Sequence, residues 1–243
     1  MMNTLLKAVI KEGVVFRRRE FLLSLFVLVY LAVSYIMLSL QLSQGYMLVL
    51  QLFFIILENY ITVAVYYGIK QSLFDGKLDM KDMFAKGGYF FGRTLYYKLL
   101  VTAAGLFIAA FCLSMIEIVK DSSLAAAGFI TGFTVLWISF PIYLIMLTLF
   151  TPLVIIVEDS PLLPAVRKSM AFARGNLADI VRLGLLVIPL WFFALFLMKV
   201  YNKKDFFVLS AIFCFFAVLE IVTIRLFMLF YKARRIENLN PSP

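Results

Sequence analysis

Long apolar runs, separated by short polar segments, dominate the chain and set its predicted architecture. Each run reaches the roughly 20 residues that an α-helix needs to cross the hydrocarbon core of a bilayer. The pattern predicts an all-α, polytopic integral membrane protein in which residues 1–243 form a single transmembrane domain. The predicted spans are 21–42, 46–68, 94–118, 124–157, 177–200 and 206–231. The fourth is longer than a bilayer is thick, so we expect it to tilt, to project or to kink at Pro141, with Pro152 ending its regular part.

Three shorter segments beside these spans have an amphipathic pattern. Residues 4–16 and 160–175 place apolar side chains on one face and basic side chains on the other, and 79–87 has a similar layout of a short capped helix that ends at glycine. This pattern is typical of a helix that lies in the membrane interface. Two of them have a simpler alternative: a frayed tail for 4–16, and for 160–175 a basic loop that merely obeys the positive-inside rule.

The segment 160–175 has the most detailed signals. Asp159 and Ser160 are good N-cap residues, and Pro161 suits a first helical turn. Gly175 predicts the end of the helix, and Asn176 is then placed to cap the next one. Its basic face consists of Arg167, Lys168 and Arg174, and Arg182 follows as an interfacial anchor at the start of the fifth span.

The segment 79–87 is predicted to begin at Asp79, an N-cap residue with Asp82 three positions later. Gly87 and Gly88 predict the end of this short helix before the third span begins.

Composition identifies the bilayer as the solvent of this chain. Its residues are 64% hydrophobic and 15% charged, whereas a soluble domain is nearer one half apolar and one quarter charged. The net charge of +9 is explained by its placement. Of the 23 lysines and arginines, 18 lie in the segments on the side of both termini, four lie on the other side, and Arg225 lies in a span. The positive-inside rule therefore predicts a protein of the cytoplasmic (inner) membrane with both termini in the cytoplasm, and no nucleic-acid partner.

The sequence offers little that predicts catalysis. It contains no histidine, which removes the commonest general base and the commonest zinc ligand. It also has no phosphate-binding loop, nucleophile elbow or zinc-binding motif. We therefore predict a protein that is not an enzyme, with no catalytic residue, no metal site and no cofactor.

Four polar residues within the spans are the strongest candidates for a functional site. They are Glu58 and Asn59 in the second span and Glu220 and Arg225 in the sixth. A charged side chain at such a depth costs about 2.5–3.5 kcal/mol on insertion scales and is expected to face protein or water. The functional interpretation is a polar cavity or ion path. The structural interpretation is a buried ion pair in which Arg225 bridges Glu58 or Glu220 and fixes the register of the helices.

A proline before a late acidic turn, followed by an alanine, a serine and a Gly-Asn break, stands at the end of the fourth span. The positions are Pro152, Glu158, Ala165, Ser169, Gly175 and Asn176. This segment resembles one in a superfamily of prokaryotic six-helix membrane proteins that includes the membrane domain of glycerophosphoryl diester phosphodiesterases. The resemblance implies a six-helix membrane fold and carries over no enzymatic activity.

These observations lead to two functional hypotheses. The first is a non-enzymatic membrane protein that binds lipids, with anionic headgroups favoured, or a membrane protein partner through its basic helices. The alternative is a small-solute or ion transporter or channel subunit that uses the charges within its spans.

Overall fold

The computed structural model of this protein describes residues 4–14, 20–39, 44–120, 124–200 and 206–239. Within these ranges the chain is helical and contains no strand. The helices are α1 (Thr4–Val14), α2 (Glu20–Ser39), α3 (Gln44–Lys70), α4 (Met80–Lys120), α5 (Leu124–Thr148), α6 (Thr151–Glu158), α7 (Leu162–Gly175), α8 (Leu177–Val200) and α9 (Phe206–Leu239). A π-helical turn, Gln71–Asp75, continues α3.

Four helical segments of the described chain are long and apolar enough to cross a membrane. They are Val49–Asp75, Met80–Val119, Leu177–Met198 and Val208–Ile236. The chain therefore has the helices of a multi-pass membrane protein, and the predicted second, third, fifth and sixth spans overlap with them. Spans 21–42 and 124–157 remain predictions, since their described parts hold only the shorter apolar stretches Glu20–Val33 and Tyr143–Glu158. Positions 40–42, like positions 15 and 16 of the first amphipathic segment, lie outside the described residues.

The predicted short helix 79–87 is wrong as a separate element, because α4 continues through it without a break. Its predicted start is confirmed: the backbone N–H groups of Lys81 and Asp82 donate to Asp79 Oδ1 at 2.9 and 3.3 Å. Gly87 does not end the helix. A Cβ atom there would lie 3.0 Å from the Cβ of Ala64, so the glycine allows α4 to pack closely on α3.

The helix of the predicted span 124–157 is interrupted at residues 149–150, close to Pro152, the residue predicted to end its regular part. The backbone of α5 runs through position 141 as helix, and the interruption comes just before Pro152. Proline has no N–H to donate to the carbonyl four residues earlier, which is that of Thr148. The hydroxyl of Tyr97 donates to this carbonyl instead, at 2.7 Å, so the end of α5 is satisfied from α4.

The start of α7 has no side-chain cap, contrary to the prediction from Asp159 and Ser160. Asp159 has a left-handed φ of 48° and ends α6, while Pro161 is the residue that precedes α7 and makes no side-chain cap. The Asp159 carboxylate pairs with Arg93 at 2.8 Å, which removes it from the helix start. Asn176 caps the end of α7 and not the start of α8, since its Nδ2 donates to Phe172 O at 2.9 Å.

Contacts divide the chain into two compact units. The first comprises residues 1–91 and 177–243, and the second residues 92–176, so that the boundary falls within α4. In the first unit α9 packs against α1, α2, α3 and α8, and it supplies more of the described buried apolar side chains than any other helix of this unit. In the second unit α7 packs against α5 and α6.

Candidate functional site

A buried ion pair joins the start of α2 to α9 in the first unit. The carboxylate of Glu20 pairs with the guanidinium of Arg225, and the two residues are 0% and 1% exposed. The hydroxyl of Ser72, on the π-helical turn, donates to Glu20 Oε1 at 2.8 Å. Buried charges are tolerated when they are paired and hydrogen-bonded. These three residues are called the closed cluster below.

Of the four polar residues predicted within the spans, Glu58, Asn59, Glu220 and Arg225, only Arg225 belongs to the closed cluster. Arg225 forms its ion pair with Glu20, whereas the sequence pattern favoured Glu58 or Glu220 as its partner. Glu20 directly follows three arginines, so the sequence placed it in a charged terminal tail. Only the packing of α2 on α9 reveals that it begins a buried helix.

Asn59 turns away from its neighbour Glu58 and toward α4. It is 3% exposed, and its Nδ2 donates to the carbonyl oxygen of Phe91 at 3.4 Å. The asparagine therefore links α3 to α4, and it is not among the residues that line the cavity between α2, α3, α8 and α9.

Glu58 and Glu220 line one cavity of about 500 Å³ in the first unit. The walls come from α2, α3, α8 and α9, and the two carboxylates reach it from α3 and α9. Its aromatic lining comprises Tyr30, Tyr66, Trp191 and Phe216. The structure thus brings the two predicted glutamates to one cavity, whereas Arg225 forms its ion pair with Glu20.

The polar aromatic and hydroxyl groups on the walls bond largely to the protein itself. Trp191 Nε1 donates to Thr223 Oγ1 at 3.2 Å, and the Thr223 hydroxyl donates to Leu219 O at 2.7 Å. The Tyr30 hydroxyl donates to Phe54 O at 3.4 Å. These bonds fix the rings and the threonine in place, so the walls are preorganised.

The predicted basic residues of α7 and α8 have different surroundings. Arg167 and Arg174 are exposed on α7. Lys168 pairs with Glu158 at 2.6 Å and also donates to Ser160 Oγ at 3.2 Å. Arg182 pairs with Asp179 at 3.0 Å. The Asp179 carboxylate forms a second ion pair with Arg234.

The apolar face of α7 is largely covered by protein within the second unit. Ala165, Ser169 and Ala173 are fully buried, four residues apart on one face. The Ser169 hydroxyl donates to Leu147 O at 3.0 Å, which accounts for the polar residue on this face. Leu163, by contrast, is 72% exposed. The helix thus presents mainly its basic side and one leucine to its surroundings.

Sequence reasoning missed a polar network where α3 meets α4. Asp82 accepts hydrogen bonds from Gln71 at 2.7 Å and from the Tyr67 hydroxyl at 3.1 Å. Nearby, Lys232 donates to the carbonyl of Leu73 at 3.1 Å, and its Nζ lies 4.4 Å from the ring centroid of Phe74. Buried Gln71 at the end of an apolar run was the available signal, because a buried amide requires partners.

Among the residues that the structure describes, no three histidine, cysteine, aspartate or glutamate side chains are grouped so that they could hold a metal ion. No family model matches the chain, and neither a curated protein nor a solved structure matches it.

Proposed function

We propose that this protein is a small-solute or ion transporter, or a channel subunit, whose binding site is the cavity lined by Glu58 and Glu220. The observation that carries the proposal is that glutamates from two candidate spans line the same cavity. Each is costly within a bilayer, and ionisable residues at such positions usually mark a substrate or ion pathway.

The ion pair of the closed cluster supports this proposal, because it engages the arginine that the structural interpretation assigned to Glu58 or Glu220. The buried ion pair that fixes one helix against another is Glu20–Arg225. Glu58 and Glu220 do not pair with Arg225, as the structural interpretation required. Both are only partly buried, as expected for side chains that a solute can reach.

Flux through proteoliposomes tests the proposal. Purified full-length protein is reconstituted, and H⁺, Na⁺, K⁺ and small organic amines are followed one at a time against protein-free vesicles. We expect at least one flux, and we expect Glu58→Gln and Glu220→Gln each to reduce it at least tenfold. Glu117→Gln is the matched control, because Glu117 is an exposed glutamate in α4. Equal fluxes in the wild type and both cavity variants would contradict the proposal.

We propose a second role in lipid or partner binding, supported by the exposed basic side of α7. Arg167 and Arg174 lie on this side with exposed Leu163, and a basic residue near an anionic surface contributes about 1 kcal/mol. This role requires α7 to lie on the cytoplasmic side of the membrane, the side on which both termini are predicted. It involves no enzymatic activity, which agrees with the predicted resemblance to the six-helix superfamily.

Native mass spectrometry of protein released gently from its membrane tests this second role. We expect anionic lipid to be retained by the wild type and to be lost from Arg167→Gln/Arg174→Gln. The control is Lys203→Gln/Lys204→Gln, which removes two charges from the opposite side by the positive-inside rule. Equal loss in both double variants would mean that α7 is not the lipid site.

A further inference from the structure

The cavity combines acceptor groups with aromatic rings. Glu58 and Glu220 supply the carboxylates, and Trp191 and Phe216 form one aromatic corner, with ring centroids 5.8 Å apart and planes inclined at 56°. Aromatic rings attract cations that lie within about 6 Å of their centroids. Both kinds of group therefore favour a positively charged ligand.

The hydrogen bonds of the cavity walls also favour a positively charged ligand. The donors of Trp191, Thr223 and Tyr30 are directed to acceptors of the protein. An ionised carboxylate has about four acceptor positions, so each glutamate can keep a bond to the protein and still accept one from a ligand. The cavity lining that the described residues provide includes no lysine or arginine, so an anion would meet no positive side chain there.

The same lining is poorly suited to a bare metal ion. Ca²⁺ requires about six to eight oxygen ligands, and Mg²⁺ requires near-octahedral geometry. Here two carboxylates face walls that are mainly apolar, with Val27, Leu31 and Ile61 beside the aromatic rings. A volume of about 500 Å³ lies within the ~300–1,000 Å³ of pockets that hold small organic molecules.

We propose that the cavity binds an organic ammonium ion, whose charged nitrogen lies at Glu58 and Glu220 and whose hydrocarbon part packs against Trp191 and Phe216. This inference rests on the proposed function and names the substrate class of the same site. Such an ion has both a positive charge for the carboxylates and a hydrocarbon part for the aromatic rings.

A charged ligand and its neutral counterpart provide the decisive comparison. The probes are cyclohexylmethylammonium chloride and cyclohexylmethanol, which have closely similar shapes, titrated into full-length protein in nanodiscs by isothermal calorimetry. We expect saturable binding of the ammonium ion, with the alcohol at least tenfold weaker. This comparison uses the wild type and so does not depend on the folding of any variant.

Variants then locate the site. Glu58→Gln and Glu220→Gln are each expected to weaken ammonium binding at least tenfold, Trp191→Phe a few-fold, and Glu117→Gln not at all. Circular dichroism and gel filtration confirm that each variant is folded. Equal binding of alcohol and ammonium ion, no saturable ammonium binding, or full affinity in both glutamine variants would overturn the inference.

Failure of this inference can be told apart from failure of the proposed function. A flux of H⁺, Na⁺ or K⁺ that depends on Glu58 and Glu220, without ammonium binding, would overturn the ligand class and keep the transporter. Glutamate-dependent ammonium binding without any flux would support the ligand class and overturn the transporter.

Discussion

The closed cluster and the cavity both place glutamate within the first unit, and they differ in how each carboxylate is enclosed. Glu20 is fully buried and receives both a guanidinium and a hydroxyl. Glu58 and Glu220 are partly buried and line a space of about 500 Å³. Although Glu220 and Arg225 belong to the same helix, their five-residue spacing directs them to different surroundings. A structural charge and a candidate ligand-binding charge therefore differ in how completely protein groups surround the carboxylate, and not in how deep the residue lies in an apolar run.

The largest expected effect comes from breaking the closed cluster at Arg225. Arg225→Met leaves the Glu20 carboxylate buried without its partner, which typically costs about 3–5 kcal/mol of the free energy of unfolding. Unfolding by added dodecyl sulfate in mixed micelles, followed by circular dichroism, measures this loss. The double variant Glu20→Gln/Arg225→Met removes both charges and should recover most of it. If Arg225→Met were as stable as the wild type, the closed cluster would have no larger structural role than the cavity glutamates.

Ser72 provides a smaller test of the same cluster. Ser72→Ala removes a hydrogen bond to a buried charged group, and such bonds contribute about 1.5–3 kcal/mol. The same unfolding measurement applies. Ser114→Ala is the matched control, because the exposed Ser114 hydroxyl donates only to Ala110 O within its own helix, so its change should stay within about 0.5 kcal/mol. Equal effects of the two substitutions would argue that Ser72 adds nothing to the pair.

The packing of α1 beside the closed cluster can be tested at Gly13. A Cβ atom there would lie 2.3 Å from Leu226 Cδ2 and 2.9 Å from its Cγ, next to Arg225 in sequence. We expect Gly13→Ala to lower stability by about 1–3 kcal/mol through overpacking. At Gly105 an added Cβ meets nothing within 4 Å, so Gly105→Ala should instead gain about 0.5–1 kcal/mol. Equal stability of the two variants would mean that α1 does not pack tightly on α9.

The smallest effect is expected at the cavity. Glu220→Gln should change the free energy of unfolding by less than about 1 kcal/mol, because a partly buried side chain beside an open space loses little when its charge is removed. The measurement is again unfolding in mixed micelles, compared directly with Arg225→Met. A loss of stability as large as that of Arg225→Met would show that Glu220 has a structural role, as Glu20 and Arg225 do.

The sequence alone predicted what depends on local pattern. Apolar runs of sufficient length marked the four helices that can span a membrane, and periodicity marked the ranges of α1 and α7. Asp79 was recognisable as a helix start because an N-cap bonds only to the next few residues. Gly87 misled the prediction, because a glycine that ends a helix and one that admits a neighbouring helix look the same in sequence.

Only the tertiary structure decided the partners. Glu20 and Arg225 are 205 positions apart, and no local pattern connects them. The shared cavity of Glu58 and Glu220 likewise depends on how α2, α3, α8 and α9 pack together. The physical reason is that hydrophobic length and helical period are properties of one segment, whereas an ion pair or a cavity wall is fixed by the relative rotation and depth of several helices.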